Sequence, residues 1–325
     1  MIKVSVVIPA YNAARTIPVT LEACLNQSYP KENYEVIVVD DGSADTTAGL
    51  IKGFPVKYLF QENRGPATAR NHGWKSAEGE IVVFTDSDCV PEKDWLLKTM
   101  KMFEEAEIAA AGGTYGIMNP ESLVASCIHY EIQYRHSTLP DYVEYLGSFY
   151  LAIKKNILDE TGGFDESFRI ACAEDADLTY RIAGKHYKMR FTRDSKVSHF
   201  FPTKFSRYLK QQYYRGFWLM KLFQKHPGRL GNDKYSRFRD AIQPPLYFLL
   251  IVITPFIWIG PLGYVVAALH IIAVLIHIPV VSYSYKISGN PKLFFLFIML
   301  YLRGFSWAFG CFTGFFKFVL LKQKS

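Results

Sequence analysis

The sequence predicts an α/β fold, an open and largely parallel sheet covered by helices, followed by a C-terminal region of apolar helices. Three observations carry this expectation. Short β-branched runs at residues 4–8, 35–39, 56–60 and 81–85 alternate with helix-like stretches at 16–26, 46–52 and 66–76, the pattern of βαβ units. Residues 241–285 are 45 consecutive positions without Lys, Arg, Asp or Glu. Between these regions, residues 185–240 hold fifteen Lys and Arg against three acids, so this block is strongly basic in a chain of net charge +7.

Each early strand is a continuous apolar run, which suits strands buried on both faces. In such sheets ligands bind beyond the carboxyl ends of the strands. The residues there are Pro9-Ala10-Tyr11-Asn12, Asp40-Asp41-Gly42-Ser43, Gln61-Glu62-Asn63-Arg64-Gly65 and Asp86-Ser87-Asp88. Further along, the pattern predicts a helix over 92–105, a Gly-rich strand over 108–117 and a strand over 145–153. A turn follows at Gly162-Gly163, then a helix over 174–182 closed by Gly184. At 325 residues the chain has room for about two domains. Half of its residues are apolar, which excludes general disorder. Five scattered Cys with no Cys-x-x-Cys pair predict free thiols, a reducing compartment and no zinc site. The chain runs from Met1 directly into a strand, so no cleavable signal is expected.

One helix of 45 residues would be about 68 Å long, against a hydrocarbon core of about 30 Å. The segment therefore reads as two helices, 242–259 and 262–281, turning at Gly260-Pro261. Lys286 and Lys292 then return the chain to the cytoplasmic side. A third apolar stretch, 293–321, is interrupted by Arg303 and ends in Lys317, Lys322 and Lys324, which is expected of a broken, re-entrant or interfacial helix. Gly310 and Gly314 are a candidate helix-packing pair. The expected division is a catalytic domain over 1–200, a basic juxtamembrane segment over 201–240 and transmembrane helices over 241–325. A basic block beside a membrane span reads as a contact with anionic lipid headgroups and not with nucleic acid. The protein is thus expected to be integral to the membrane, with its catalytic domain in the cytoplasm.

The chemistry-bearing residues sit at the strand ends. Asp86 and Asp88, two carboxylates spaced by one residue, suit a hard divalent cation. Asp40 and Asp41 bring more negative charge to the same edge, which needs a cation or hydrogen-bond donors to balance it. No Gly-x-Gly-x-x-Gly follows any strand, which argues against a dinucleotide-dependent dehydrogenase.

In order, these motifs resemble the inverting nucleotide-sugar glycosyltransferases of family 2, with the GT-A fold, in a membrane-anchored form. The resemblance covers residues 2–217. It rests on Val4-Ser5-Val6-Val7-Ile8-Pro9-Ala10-Tyr11-Asn12, Val38-Val39-Asp40-Asp41-Gly42-Ser43, Asn63-Arg64-Gly65-Pro66-Ala67 with Ala69-Arg70-Asn71, Asp86-Ser87-Asp88, and Glu174-Asp175. It implies donor binding by Pro9, Tyr11, Asp41, Arg70 and Asp86: Tyr11 stacking on the base, Asp41 accepting from a base N–H, Arg70 reaching the diphosphate. It implies Mg²⁺ or Mn²⁺ on Asp88 and Asp86, with His199 a further ligand, and Asp175 as general base. Glu174, Arg64, Gln212 and Arg215 are expected in support, and Asp177 as a structural helix-start acid. The implied partners are a nucleotide-diphosphate sugar, UDP favoured over GDP, a lipid-linked acceptor and membrane lipids.

Two departures from the family pattern stand out. Ser148-Phe149-Tyr150-Leu151-Ala152-Ile153-Lys154-Lys155 places aromatics where many relatives carry Gly-Asn, and Gln212-Tyr213-Tyr214-Arg215-Gly216 lacks the Trp of processive synthases. The reading is therefore a transfer of one sugar to a lipid-linked or membrane-proximal glycan acceptor. The alternatives are a polyprenyl-phosphate sugar synthase, whose ionised acceptor needs no base, and a catalytically inactive membrane-anchored sugar-binding or scaffolding protein.

Overall fold

The computed structural model describes residues 2–229 and 238–321. Residues 230–237 of the basic segment, and Lys322 and Lys324, lie outside the described residues. The chain divides into two compact units. One comprises Met1–Met118 and Leu139–Phe200, the other Asn119–Thr138 and Phe201–Ser325.

The first unit is built on an eight-stranded sheet of order β3-β2-β1-β4-β7-β6-β8-β5. Its first half follows the βαβ expectation: β1 (Val4–Ala10), α1 (Ile17–Leu25), β2 (Tyr34–Asp41), α2 (Thr47–Ile51), β3 (Lys57–Gln61), α3 (Pro66–Lys75) and β4 (Ile81–Phe84). β1 pairs in parallel with both β2 and β4. Every residue of β1 is buried, as a central strand covered on both faces requires.

The second half differs from the sequence expectation. A short strand, β5 (Cys89–Pro91), precedes α4 (Trp95–Met102), so the helix expected over 92–105 is shorter at both ends. β6 (Ile108–Ile117) forms as expected, while β7 is only Leu151–Lys154. The strand expected from residue 145 starts late because the Ser148 amide donates to Asp175 and Ser148–Tyr150 forms a 3₁₀ turn. β7 is antiparallel to β4 and β6, so the sheet is mixed. α6 (Lys155–Thr161), α7 (Glu174–Gly184) and β8 (Lys188–His199) complete the unit, β8 lying parallel to β6 and antiparallel to β5.

Gly162 and Gly163 have φ of 78° and 70°, the left-handed region that glycine adopts without steric cost. A Cβ on Gly163 would also stand 2.6 Å from both Asn71 Oδ1 and Trp74 Nε1. The turn is closed by Arg181, whose Nη2 donates to the Gly163 carbonyl at 2.6 Å and whose Nε pairs with buried Asp177 at 3.0 Å. Asp177, expected as a helix-start acid, lies in the first turn of α7 and also anchors Arg181.

The second unit is helical. α5 (Leu123–His136) lies in its short inserted segment, and α8 (Phe205–Lys225) follows the first unit. α9 (Phe238–Ile253), α10 (Gly260–Leu275), α11 (Ile278–Ser288) and α12 (Phe295–Gly314) form the apolar region, with a π-helical turn over Phe315–Leu320. Gly260 opens α10 at the expected turn. The second expected helix is longer than predicted and broken near His277, giving α10 and α11 in one apolar run, Gly260–Ser288, that is long enough to cross a membrane. Gly310 and Gly314 do form a packing face: a Cβ on either would strike the backbone of Tyr213 or Phe217 in α8.

Candidate active site

The loops after β1 and β2 are stitched to each other. Asn12, with φ 49°, accepts from the Ala44 amide at 2.9 Å through Oδ1 and donates its own amide to Ser43 Oγ at 3.0 Å. Pro9 is buried at the end of β1, whereas Tyr11 beyond it is 52 % exposed, a ring presented to solvent at the ligand edge of the sheet. Asp40 is buried and accepts from the Ser43 amide at 2.9 Å and the Tyr58 hydroxyl at 3.0 Å. Asp41 accepts from Gln61 Nε2 at 2.7 Å and from the amides of Arg64 and Gly65, both at 2.9 Å. These donors supply the charge balance that two adjacent buried acids need. They also fill three of the roughly four acceptor positions on the Asp41 carboxylate.

Arg70 on α3 is the buried hub of the site, at 1 % exposure. Its Nη1 donates to Glu174 Oε1 at 2.8 Å and its Nη2 to Asp86 Oδ1 at 2.7 Å. One guanidinium therefore joins the loop after β4 to the start of α7. Arg64, by contrast, is exposed, and its guanidinium meets Glu166 among the described residues, at 3.4 Å. Glu166 also accepts from Thr68 and Asn71, which ties α3 to the turn after α6.

Asp88 and His199 face each other, with Oδ1 to Nε2 at 3.3 Å. β5 pairs with β8 so that Cys89 lies opposite His199, and the ligand atoms of Asp88, Cys89 and His199 all lie within 4.8 Å of one another. Burial, followed by the charge of Asp88, holds the Cys89 thiol well above its ordinary pKa.

Asp175 lies in the first turn of α7 and is partly exposed. Its Oδ2 accepts from the Tyr145 hydroxyl and the Ser148 amide, both at 3.2 Å, and its Oδ1 from the Ala176 amide at 2.8 Å. Burial still raises its pKa above the ordinary aspartate value. Glu174 is more enclosed: its Oε2 is buried without a hydrogen-bond partner. Burial, then repulsion from Asp175, pushes its carboxyl up to about 7. Ala173, immediately before the pair, sits at φ 70°, a conformation costing a non-glycine residue roughly 1–2 kcal/mol.

The structure thus gathers Asp86, Arg70, Glu174 and Asp175 into one chain of contacts and Asp88 with His199 into another. Gln212, buried, and Arg215, exposed, lie on α8 in the second unit. The sequence reading missed Tyr145, the Ser148 amide, Cys89 and Glu166. Tyr145 and Ser148 were absorbed into an expected strand, and a lone Cys or Glu carries no spacing signal.

This arrangement of strand ends has counterparts. Residues 5–162 match the family model of Glycosyl transferase family 2. The Glycosyltransferase AglE of Haloferax volcanii is 29 % identical over 221 residues, covering 65 % of this chain and 70 % of that protein. The Probable glycosyltransferase YdaM of Bacillus subtilis is 29 % identical over 213 residues, covering 58 % of this chain and 48 % of YdaM. The chain therefore spans about half the length of that relative. Among solved structures, the mannosyltransferase PcManGT of Pyrobaculum calidifontis, in complex with GDP-Man and Mn²⁺, aligns with a TM-score of 0.59 at 22 % identity, over 94 % of this chain and 86 % of that one. The first unit is thus a GT-A-like domain, and the family 2 match supports a glycosyltransferase.

Proposed function

We propose that this chain is an inverting glycosyltransferase of family 2 that moves a sugar from a nucleotide-diphosphate donor to a hydroxyl of a lipid-linked or membrane-proximal glycan at the cytoplasmic face. The observation that carries the reading is Asp175. It is a partly exposed carboxylate oriented by Tyr145, the Ser148 amide and the Ala176 amide, with a raised pKa that suits a proton acceptor working near neutrality. A sugar hydroxyl is too weak an acid to ionise by itself, so its proton leaves as the new bond forms, and Asp175 receives it.

Tyr11 offers a ring for the base, and Asp41 with Pro9 shapes the floor beneath it. Arg70 aligns Asp86 and Glu174 and so links the donor side of the site to the base. Asp86, aligned in this way, is assigned to the ribose or to a cation. The Asp88, Cys89 and His199 cluster fits a divalent cation, Mg²⁺ or Mn²⁺, on Asp88 and His199, with Asp86 near. When bound, such a cation neutralises the charge that develops on the leaving diphosphate. Glu174 supports this arrangement by holding Arg70.

The membrane part of the reading is supported by the apolar run Gly260–Ser288 and the shorter apolar helix Asp240–Phe256. Trp258 at the turn between them and Tyr264 near the start of α10, 91 % and 83 % exposed, suit the far headgroup layer, where aromatic residues concentrate.

The test is a donor panel. The solubilised full chain is incubated with UDP- and GDP-sugars, membrane lipid extract and Mn²⁺ or EDTA, and read by mass spectrometry and NMR. One donor should yield a sugar-bearing lipid of inverted anomeric configuration, only with metal. Turnover unchanged in EDTA overturns the metal assignment. Transfer to no acceptor, with donor bound, favours the inactive sugar-binding alternative.

A further inference from the structure

The last apolar helix is long enough to cross a membrane, since the run Pro291–Leu320 meets that test by length and composition. Its neighbours within the second unit argue that it does not. Arg303 in α12 is buried and paired with Glu131 of α5, while its Nη2 donates to Gln243 of α9 at 3.1 Å. Arg135, one turn beyond Glu131, donates to Asp240 at 2.9 Å. Among the described residues, Arg303, Glu131, Arg135 and Asp240 thus form one cluster of ion pairs, buried except for the half-buried Arg135. α5 belongs to the insertion Asn119–Thr138, and the chain on both sides of it is part of the α/β unit. Its 14 residues make a helix of about 21 Å, shorter than the roughly 30 Å hydrocarbon core, and the chain has to enter and leave on the same aqueous side. Glu131 therefore stays near that side, and Arg303 stays with it.

α8 supplies an independent constraint, because it runs alongside α12. Ser306 Oγ donates to the Leu209 carbonyl at 2.7 Å, Gly310 and Gly314 lie against Tyr213 and Phe217, and the Trp218 and Phe318 rings are 5.5 Å apart. α8 carries Arg207, Lys210, Arg215, Lys221 and Lys225 and no acid. Charged side chains are costly at bilayer depth, so a helix with five of them cannot accompany α12 through the core. Apart from Lys292 in the entry turn, what α12 and the turns at its two ends leave uncovered is nevertheless apolar: Phe294, Ile298, Leu302, Phe309, Phe312 and Phe316 are all exposed, at spacings that place them on one helical stripe.

From this geometry we infer that α12 lies in the plane of the cytoplasmic leaflet, its exposed stripe seated among the acyl chains of an anionic bilayer and the cations of α8 at headgroup level. The occupant is a lipid surface for two reasons. The stripe follows the uncharged run 241–285 after a short segment carrying Lys286 and Lys292, and the neighbouring helix has the charge that anionic headgroups attract. The inference rests on the membrane anchoring proposed above.

Depth measurement decides it. Cys172, the one partly exposed thiol among the described residues, is replaced by Ser. Phe294→Cys, Leu302→Cys, Phe309→Cys and Phe316→Cys are then spin-labelled one at a time in the full chain, in phosphatidylcholine–phosphatidylglycerol vesicles. All four positions are exposed, so the substitutions spare the core. An in-plane helix places all four labels at one depth, roughly 5–10 Å below the headgroup boundary. A crossing helix spreads them over roughly 33 Å, and that gradient would overturn the inference. Water-accessible labels, or spin–spin broadening from a second copy of the chain, would also overturn it. A carbonate wash of the same vesicles reports separately on anchoring: release of the protein defeats the membrane reading itself, whereas retention with a depth gradient defeats only the in-plane placement.

Discussion

Asp175 and Glu174 are adjacent carboxylates with separate environments, and the difference separates the roles proposed for them. Asp175 receives three short-range donors and reaches solvent, so it can meet an acceptor. Glu174 is enclosed, with one oxygen on Arg70 and the other without a donor. Asp175→Asn keeps the shape and cannot take a proton. Turnover should fall by about 10² to 10⁴ with donor affinity nearly unchanged, as single-turnover kinetics and calorimetry would show. Parental turnover in this variant would move the polyprenyl-phosphate acceptor, which needs no base, to first place. Glu174 makes a pH prediction. It faces Arg70, Asp175 and, across Arg70, Asp86, and its carboxyl is pushed up to about 7 from an ordinary 4.5. Between these values the folded chain keeps a proton that the unfolded chain releases, so stability falls as pH rises through that window. Melting temperatures measured from about pH 5 to 8 should decline in the parent and flatten in Glu174→Gln; an equal decline in both would contradict the assignment. The sequence offers Asp175, Asp86 and Asp88 as candidates because motif order marks them. The double engagement of Arg70 was not visible, since a partner 104 residues away leaves no local trace.

β1, β2 and β4 were legible because their near-complete burial makes them unbroken apolar runs; β3, whose residues are exposed or half-buried, was legible with α1 and α3 from its place in the alternation. β5 escaped notice because it is three residues long and ends in Pro91. α5 escaped because it packs on several sides: Ala125, Cys127, Ile128, Glu131 and His136 are all buried, which leaves no one-sided stripe to read. Its start did carry a signal, for Ser122 Oγ accepts from the Ala125 amide at 3.3 Å as an N-cap. The Gly162-Gly163 turn is legible as a turn, and the structure adds that a Cβ on its second glycine would crowd Asn71 and Trp74. Gly163→Ala forces a side chain into the left-handed region, at roughly 1–2 kcal/mol, and drives a methyl toward Asn71 and Trp74. Urea or thermal unfolding should show at least that loss, whereas Gly184→Ala, with open space around it, should change little.

At the scale of the whole chain, the composition already separated a polar α/β portion from an apolar one, and the structure resolves two units with the same character. The boundary was harder to see, because residues 119–138 belong with the helices that follow residue 200. A chain with the apolar run Gly260–Ser288 and the uncharged stretch before it should stay in the membrane pellet after high-salt and carbonate washes and leave only with detergent; release by carbonate alone would contradict the anchoring. The inserted helix also has a consequence in time. Glu131 precedes its partner Arg303 by 172 residues, so at the roughly 5–20 residues per second of ribosomal synthesis it emerges some ten to thirty seconds before its counter-charge exists. During that interval α5 lacks the partners it has in its own unit, because the rest of that unit follows residue 200. A chain cut after residue 200 would make the delay permanent, and a soluble catalytic fragment would therefore have to give up residues 119–138 along with the tail.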